Sequence, residues 1–480
     1  MQRFLLTLVL GLGFTCAVSV IHGVDAAPAA PEIAYEIKAL TPEPLVLRVG
    51  VTLRGVAADA DLVPGMRGMG KYLSDLQRTS ADGVLRVSYS VRAGDMARSY
   101  RDPDYATPAG RAVVVHDGVL LRPDPLPRET RILVTVESAV PFAAPWEARD
   151  SPRRYQVTAE QLEGGAYLLF GAHRVVPVEV PGSVVEAVVV EEEHKASVAE
   201  LGRWMSDSAR MVAAFNRGKM PVPRTHLILV PVSGSAEAGV FGTTLRWGHG
   251  SIVLWFGADA GPEELRGEWV APHELFHLTN PHLARRIPWF TEGFTTYYGD
   301  VIRARAGSRT QKAMWRNLLH GFGYACARSH DESLLKASPT MQQERNYLRV
   351  YWGGACAAFV LDVALRHQSG NTRSLDDLLL ELRERSLRTP EGLEVGDVLH
   401  ALRAELKPGW GRHWLEATLS GERALPMPEL YSRLGLLGEE DDLTLKDDAP
   451  WAAIRRAIMG EAAAALPPIK GPPPPAPGHP

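Results

Sequence analysis

Two histidines four residues apart with a glutamate between them, in Ala271-Pro272-His273-Glu274-Leu275-Phe276-His277-Leu278-Thr279-Asn280, constrain this chain more than any other stretch. On a helix, residues i and i+4 share a face, so both imidazoles can address one point while Glu274 projects beside it. In the following run, Trp289-Phe290-Thr291-Glu292-Gly293-Phe294-Thr295-Thr296-Tyr297-Tyr298, a second helix can bring Glu292 to the same point. Two imidazoles and one carboxylate suit a single zinc ion and leave a fourth tetrahedral position for water, as in catalytic rather than structural sites. The metal ligands expected are therefore His273, His277 and Glu292, with Glu274 as the general base. An ordinary amphipathic helix pair with solvated histidines would have to account for both motifs in the right order.

The second run resembles the third-ligand helix of gluzincin metallopeptidases, and in particular that of the glycyl aminopeptidase family, where a similar Trp-x-x-Glu-Gly-x-Thr-x-Tyr-Tyr pattern occurs. The resemblance continues through Tyr351-Trp352-Gly353-Gly354-Ala355, Leu361-Asp362-Val363-Ala364-Leu365-Arg366 and Ser374-Leu375-Asp376-Asp377-Leu378, and covers most of residues 195 to 440. It implies a thermolysin-like catalytic domain, one Zn2+ and a peptide or protein substrate. By the same match Tyr351 takes the place of the tyrosine that steadies the oxyanion, a neutral donor aimed at developing charge. Tyr347, one turn earlier on the same face, is the alternative.

Two departures from that family matter. Aminopeptidases of this superfamily carry a Gly-rich edge strand ending in a Glu that holds the substrate's free amine. The corresponding stretch, Gly239 to Gly250, contains no Glu, and the nearest is Glu237. The segment can still pair with an extended peptide, but both aminopeptidase and endopeptidase activity stay open. A secreted peptide-binding or assembly protein that keeps the fold without turnover is the alternative from another class, against which the intact Glu274 argues. His249, in the Gly-rich loop, is expected to be exposed. Where many gluzincins have an Asp one turn after the third ligand, this chain has Thr296, whose hydroxyl could support a ligating histidine, with Asp300 a turn further on.

Met1-Gln2-Arg3, an apolar run from Phe4 to Val20 and the small residues near Ala26 read as a secretory signal peptide, residues 1–26, with an uncleaved anchor as the alternative. A secreted or periplasmic enzyme follows. No membrane contact is expected apart from that segment. After cleavage Cys326 and Cys356 remain, able to form one disulfide or to stay as buried thiols. The net charge of -4, with both signs interspersed and no basic stripe, argues against a nucleic-acid partner.

The expected fold is α+β and multidomain. Residues 27–190 show period-two stretches, with Leu45, Leu47, Val49, Val51 and Leu53 alternating and strands expected at 112–115, 132–136 and 184–190, and His116-Asp117-Gly118 as a hairpin turn. They form an N-terminal β-sandwich-like domain. Residues 191–440 shift to a period of 3.6 around Leu201, Trp204, Met205 and Val212. They form a mainly helical catalytic domain with a small edge sheet, whose zinc helix runs from Pro262 to Thr279. Residues 441–480 supply a C-terminal helix and a Pro-rich disordered tail, since Gly471-Pro472-Pro473-Pro474-Pro475 cannot pack as helix or central strand.

Overall fold

The computed structural model describes residues 30–461 apart from 43, 66–67, 100–111, 422 and 439–441, together with Pro474. The expected signal peptide and most of the Pro-rich tail lie outside the described residues.

Alternation builds the N-terminal half. In Leu45–Arg54 every second residue from Leu45 to Leu53 is buried, the signature of a strand with one dry face. That strand pairs antiparallel with Glu32–Pro42 and Val84–Val91 in a seven-stranded sheet, which also takes in Leu73–Ala81, Arg131–Glu137, Glu147–Ser151 and Arg154–Val157. A three-stranded sheet of Ala112–His116, Phe142–Ala143 and Tyr167–Gly171 packs over it, with Val115, Leu168 and Phe170 sharing a core with Ile33, Val49, Tyr89 and Val134. This is the two-sheet arrangement expected. The intervening residues Ala112, Val114 and Leu169 face the other way, onto Val188, Ile228, Val230, Val253 and Trp255 of a third sheet. The middle sheet therefore has a dry contact on both faces. His116-Asp117-Gly118 does not close a hairpin: residues Asp117–Val119 form a single 3-10 turn, and Ala112–His116 pairs instead with Tyr167–Gly171. The Asp117 carboxylate accepts the Ala166 N–H at 2.8 Å, so the Asp-Gly pair serves a longer-range contact.

The third sheet has five strands in the order His173–Val176, Val184–Val190, Arg224–Val232, Gly250–Gly257, Phe241–Leu245. Its three central strands are parallel, and Phe241–Leu245 runs antiparallel along one edge. Val184–Val190, placed by its sequence with the N-terminal half, hydrogen-bonds to Arg224–Val232. A Val-rich run with buried residues on both faces is what a central parallel strand needs, and alternation alone does not say which sheet it joins.

Helices cover the remaining face. Helix α1 (Val198–Phe215) opens with a capping box in which the Ser197 hydroxyl accepts the Glu200 N–H and the Glu200 carboxylate accepts the Ser197 N–H. Behind it lie α2 (Val270–Phe276), α3 (Pro288–Arg305), α4 (Gln311–Ala325) and α5 (Tyr347–Ser369). Among the described residues α5 is the one helix long and apolar enough to cross a membrane. It is instead the central core helix, with 78% of its apolar window buried. Ile454 and Ile458 of the C-terminal helix Ala452–Ile458 join the same core. A disulfide between Cys326 and Cys356, Cα atoms 6.4 Å apart, ties the end of α4 to α5.

The glycines of the two motifs are explained where α3 meets α5. A Cβ on Gly293 would stand 2.3 Å from the Gly354 Cα, and one on Gly354 would stand 1.8 Å from the Trp289 carbonyl oxygen. Backbone therefore lies against backbone, and Glu292 and Tyr351 are drawn together by their glycine neighbours. Buried polar groups lock this crossing. The Tyr297 hydroxyl donates to Asp362 at 2.8 Å, and Arg366 Nε donates to the same carboxylate at 2.8 Å. The Tyr298 hydroxyl and Arg305 both donate to Asp376. The tyrosine pair and the Asp-Arg motif are thus structural, each buried charge having an opposite partner.

His249 departs from expectation. It is 2% exposed, lies near the equally buried His226, and neither of its ring nitrogens has a hydrogen-bond partner among the described residues. Burial pushes His249 down to about 4. Burial, with His249, His173 and Arg224 adding positive charge, pushes His226 down to about 3. Both values lie below the ordinary histidine range, so neither ring carries a charge at neutral pH. As pH falls below about 6.5 the unfolded chain takes up protons that the folded one refuses, and stability is lost progressively towards pH 4. The loss should be on the order of 3 kcal/mol for His249 alone, at roughly 1.4 kcal/mol per pH unit of displacement. Asp117, raised by burial to about 8, works in the opposite sense. The check is therefore a difference: melting temperature against pH for wild type and His249→Gln, with the variant expected to show the shallower acid slope. Parallel slopes would show that His249 is protonated as readily in the fold as outside it.

Candidate metal centre and catalytic cleft

The zinc-motif helix is shorter than its periodicity suggests. Pro262–Leu265 is a separate turn, the chain reverses through Gly267 at φ +70°, and α2 begins at Val270. The buried Glu268 carboxylate caps α2 by accepting the Ala271 N–H at 3.0 Å, and the Val270 N–H also donates to it. His277 opens a 3-10 turn, His277–Thr279, but keeps αR dihedrals (φ -53°, ψ -27°), so His273 and His277 still share a face.

Their rings lie 4.9 Å apart, nearly perpendicular, and both are buried. Glu292, one turn into α3, reaches the pair: its Oε2 is 3.1 Å from His277 Nε2 and 3.7 Å from His273 Nε2. Bonds of 2.0–2.1 Å at tetrahedral angles place two ligand atoms about 3.3 Å apart, so the donor set fits one zinc ion. Burial pushes the Glu292 carboxyl up, but the two imidazoles outweigh it and hold the group well below the usual carboxylate range. Glu274 also offers an oxygen within 4.8 Å of the two imidazole donor atoms. That carboxylate, however, is taken by Thr244, whose hydroxyl lies 2.7 Å from Oε2 and 2.9 Å from the Glu274 carbonyl oxygen. Burial raises Glu274 to about 7, into the range where a carboxyl can both take and give a proton.

Thr244 stands on the edge strand Phe241–Leu245, and the strand's approach depends on Gly242, where a Cβ would meet Glu274 Cγ at 2.2 Å. Across the cleft, Tyr351 lies on the second turn of α5. Its ring is parallel to that of His273, 6.2 Å away, and its hydroxyl hydrogen-bonds Glu292. Burial and the two nearby carboxylates keep that phenol protonated. Tyr347 is 44% exposed and lines the same cavity one turn earlier on α5. The structure therefore brings His273, Glu274, His277, Glu292 and Tyr351 together.

Support for His277 comes from residues that neither motif singles out. His277 Nδ1 is 3.3 Å from the Thr295 hydroxyl and 3.1 Å from the Asn280 amide, and Asn280 also reaches Thr295. Thr295 is fully buried and sits beside Thr296, whose own hydroxyl bonds back to the Glu292 carbonyl at 2.8 Å. Among the described residues Asp300 makes no hydrogen bond to a histidine, although it is near enough to His273 for their charges to interact; it is held by Arg303 and Asn317. The usable signal was Asn280, three residues after His277, the reach of one helical turn.

No protein-family model matches the chain, and no curated protein sequence matches it. Solved structures do. The aminopeptidase N family protein from Idiomarina loihiensis superposes with a TM-score of 0.67 over 84% of this chain and 78% of its own, at 16% identity. Native yeast LTA4 hydrolase gives 0.53 over 84% and 70%, at 13% identity. The same yeast enzyme in complex with bestatin gives 0.50 over 78% and 64%. The chain has the aminopeptidase N fold. That fold accounts for the order found here, with a sheet-rich N-terminal half, a five-stranded sheet with an edge strand beside the candidate centre, and a helical lobe behind it.

Proposed function

We propose that this protein is a zinc metallopeptidase that hydrolyses peptide bonds outside the cytoplasm. The observation that carries the proposal is the convergence of Glu292 Oε2 on both imidazole Nε2 atoms, at 3.1 and 3.7 Å, with the buried Glu274 carboxylate beside them. Zinc, when bound by His273, His277 and Glu292, supplies Lewis acidity. Glu274 takes a proton from the attacking water and hands it to the leaving amine, and the Thr244 hydroxyl keeps the carboxylate aimed while this happens. The Tyr351 hydroxyl donates to the oxyanion, and α5 holds it near that point through the glycine crossing. The solved relatives, one named an aminopeptidase N family protein and one bound to bestatin, support the assignment. The disulfide supports an oxidising compartment.

Internal cleavage is favoured over amino-terminal trimming by the charge on the edge strand. Phe241–Leu245 carries no carboxylate to hold a free amine. The next residue is Arg246, half-buried and close enough to Glu292 for their charges to interact. A free ammonium would be repelled there, whereas an acylated chain would not. Purified protein should cleave a peptide and its acetylated counterpart at comparable rates. Chelation should abolish both activities, and added zinc should restore them. Hydrolysis that survives removal of the metal would sink the metallopeptidase proposal; loss of cleavage on acetylation alone would restore the aminopeptidase.

A further inference from the structure

Beside His273 and Tyr351 a cavity of about 690 Å³ opens between α2, α3, α4 and α5. It is large enough for a side chain of any size. Eleven large apolar side chains are exposed among the described residues, and three of them, Trp269, Tyr347 and Leu348, at 53%, 44% and 63% exposure, line this one opening. Exposed apolar groups concentrated at one opening mark a surface that something covers. Met314 and Trp352 line the cavity further in, the first an adaptable side chain suited to varied apolar occupants. The cavity is continuous with the proposed centre, because His273, Tyr351 and Thr296 are walls of it.

The charged groups in the lining are weighted against a cation. Asp300 is the acidic side chain in the lining, and both its oxygens are taken, one by Arg303 and the other by Asn317 at 2.6 Å. Arg303 spends a second nitrogen on the Gly267 carbonyl at 2.9 Å. Arg309 and Arg316, also in the lining, are exposed and add positive charge. A lysine or arginine side chain would meet the repulsion of these guanidiniums with the one lining carboxylate already engaged, while an aromatic or long aliphatic one would bury itself against Trp269, Met314 and Leu348.

We infer that this cavity is a substrate subsite that selects a large apolar side chain, aromatic above all, on a residue flanking the scissile bond, and that it excludes basic ones. The inference rests on the peptidase proposal for the word substrate, but the cavity's preference can be read without turnover. The test is calorimetric binding to the zinc-loaded chain carrying Glu274→Gln, using the blocked peptides acetyl-Ala-Ala-X-Ala-Ala-amide with X as Phe, Ala or Arg. Phe should bind at least about tenfold tighter than Ala, and Arg no tighter than Ala. Ala313→Trp, which fills the cavity from α4, should erase the advantage of Phe. Leu348→Asp, a change at an exposed position that folding tolerates, should also reduce it. Equal affinities, a preference for Arg, no detectable binding, or a Phe advantage untouched in both folded variants would overturn the subsite. Cleavage of the Phe peptide by wild type is scored separately. Preference without cleavage refutes the peptidase and keeps the pocket; cleavage without preference does the reverse.

Discussion

Glu274→Gln is expected to lower kcat on any cleaved peptide by a factor on the order of 10² to 10⁴, the usual contribution of a positioned acid-base group. The amide cannot take the proton from water, yet it keeps the shape of the carboxyl and can still accept the Thr244 hydroxyl. His273, His277 and Glu292 are untouched, so zinc content by elemental analysis should stay at one per chain. The melting temperature should hold or rise slightly, because the variant no longer buries an ionisable carboxyl. The combination is the point of the experiment. Turnover retained with zinc in place would remove Glu274 from the chemistry. Zinc lost together with turnover would place Glu274 among the ligands, which its nearness to both imidazole donors makes the competing assignment.

The second large effect belongs to a residue with no side chain. Gly354→Ala puts a methyl group where the Trp289 carbonyl oxygen stands 1.8 Å away, with the Gly293 Cα at 2.8 Å. Neither obstacle is a flexible side-chain end, so α3 and α5 must separate or bend. A cost of about 3 kcal/mol or more is expected, at the upper end of overpacking effects, because backbone relaxes less readily than side chains. Gly353→Ala, one position away, meets the mobile end of Arg349 and a Leu334 methyl, and should cost much less. Chemical denaturation of the two variants measures the contrast. Gly354→Ala should in addition lose activity beyond its loss of stability, because the helix it displaces carries Tyr351. Equal stability of the two variants would show that the crossing is looser than the 1.8 Å approach implies.

How much of this was legible in the sequence depended on the range of the interaction concerned. His273, Glu274 and His277 are linked by helical periodicity, a local rule that survives even the early ending of α2. Glu292 could be offered as a third ligand on a second helix and Tyr351 only through a family resemblance; neither could be placed, because no spacing rule says that two helices will cross at Gly293 and Gly354. The strands of the N-terminal half were visible as alternation, whereas their partners were not: Ala112–His116 finds Tyr167–Gly171 more than fifty residues later, past an Asp-Gly pair that looks like a turn. His249 was misread for a similar reason. Its flanking glycines suggest an exposed loop, and only the third dimension buries it. The support of His277 by Asn280 and Thr295 is hidden in the sequence because the family pattern points one turn past Glu292, to position 296. Here the neighbouring threonine does the work.

The sheet built from Ala112–His116, Phe142–Ala143 and Tyr167–Gly171 has one further consequence. Because its alternate residues belong to two different cores, no cut through the chain divides this protein into a removable front and a self-sufficient back. A fragment beginning after residue 190 would lose the Val184–Val190 strand from its sheet and leave Ile228, Val230, Val253 and Trp255 facing water. The half that carries the candidate centre is therefore not a cassette that recombination could transplant alone without baring an apolar face.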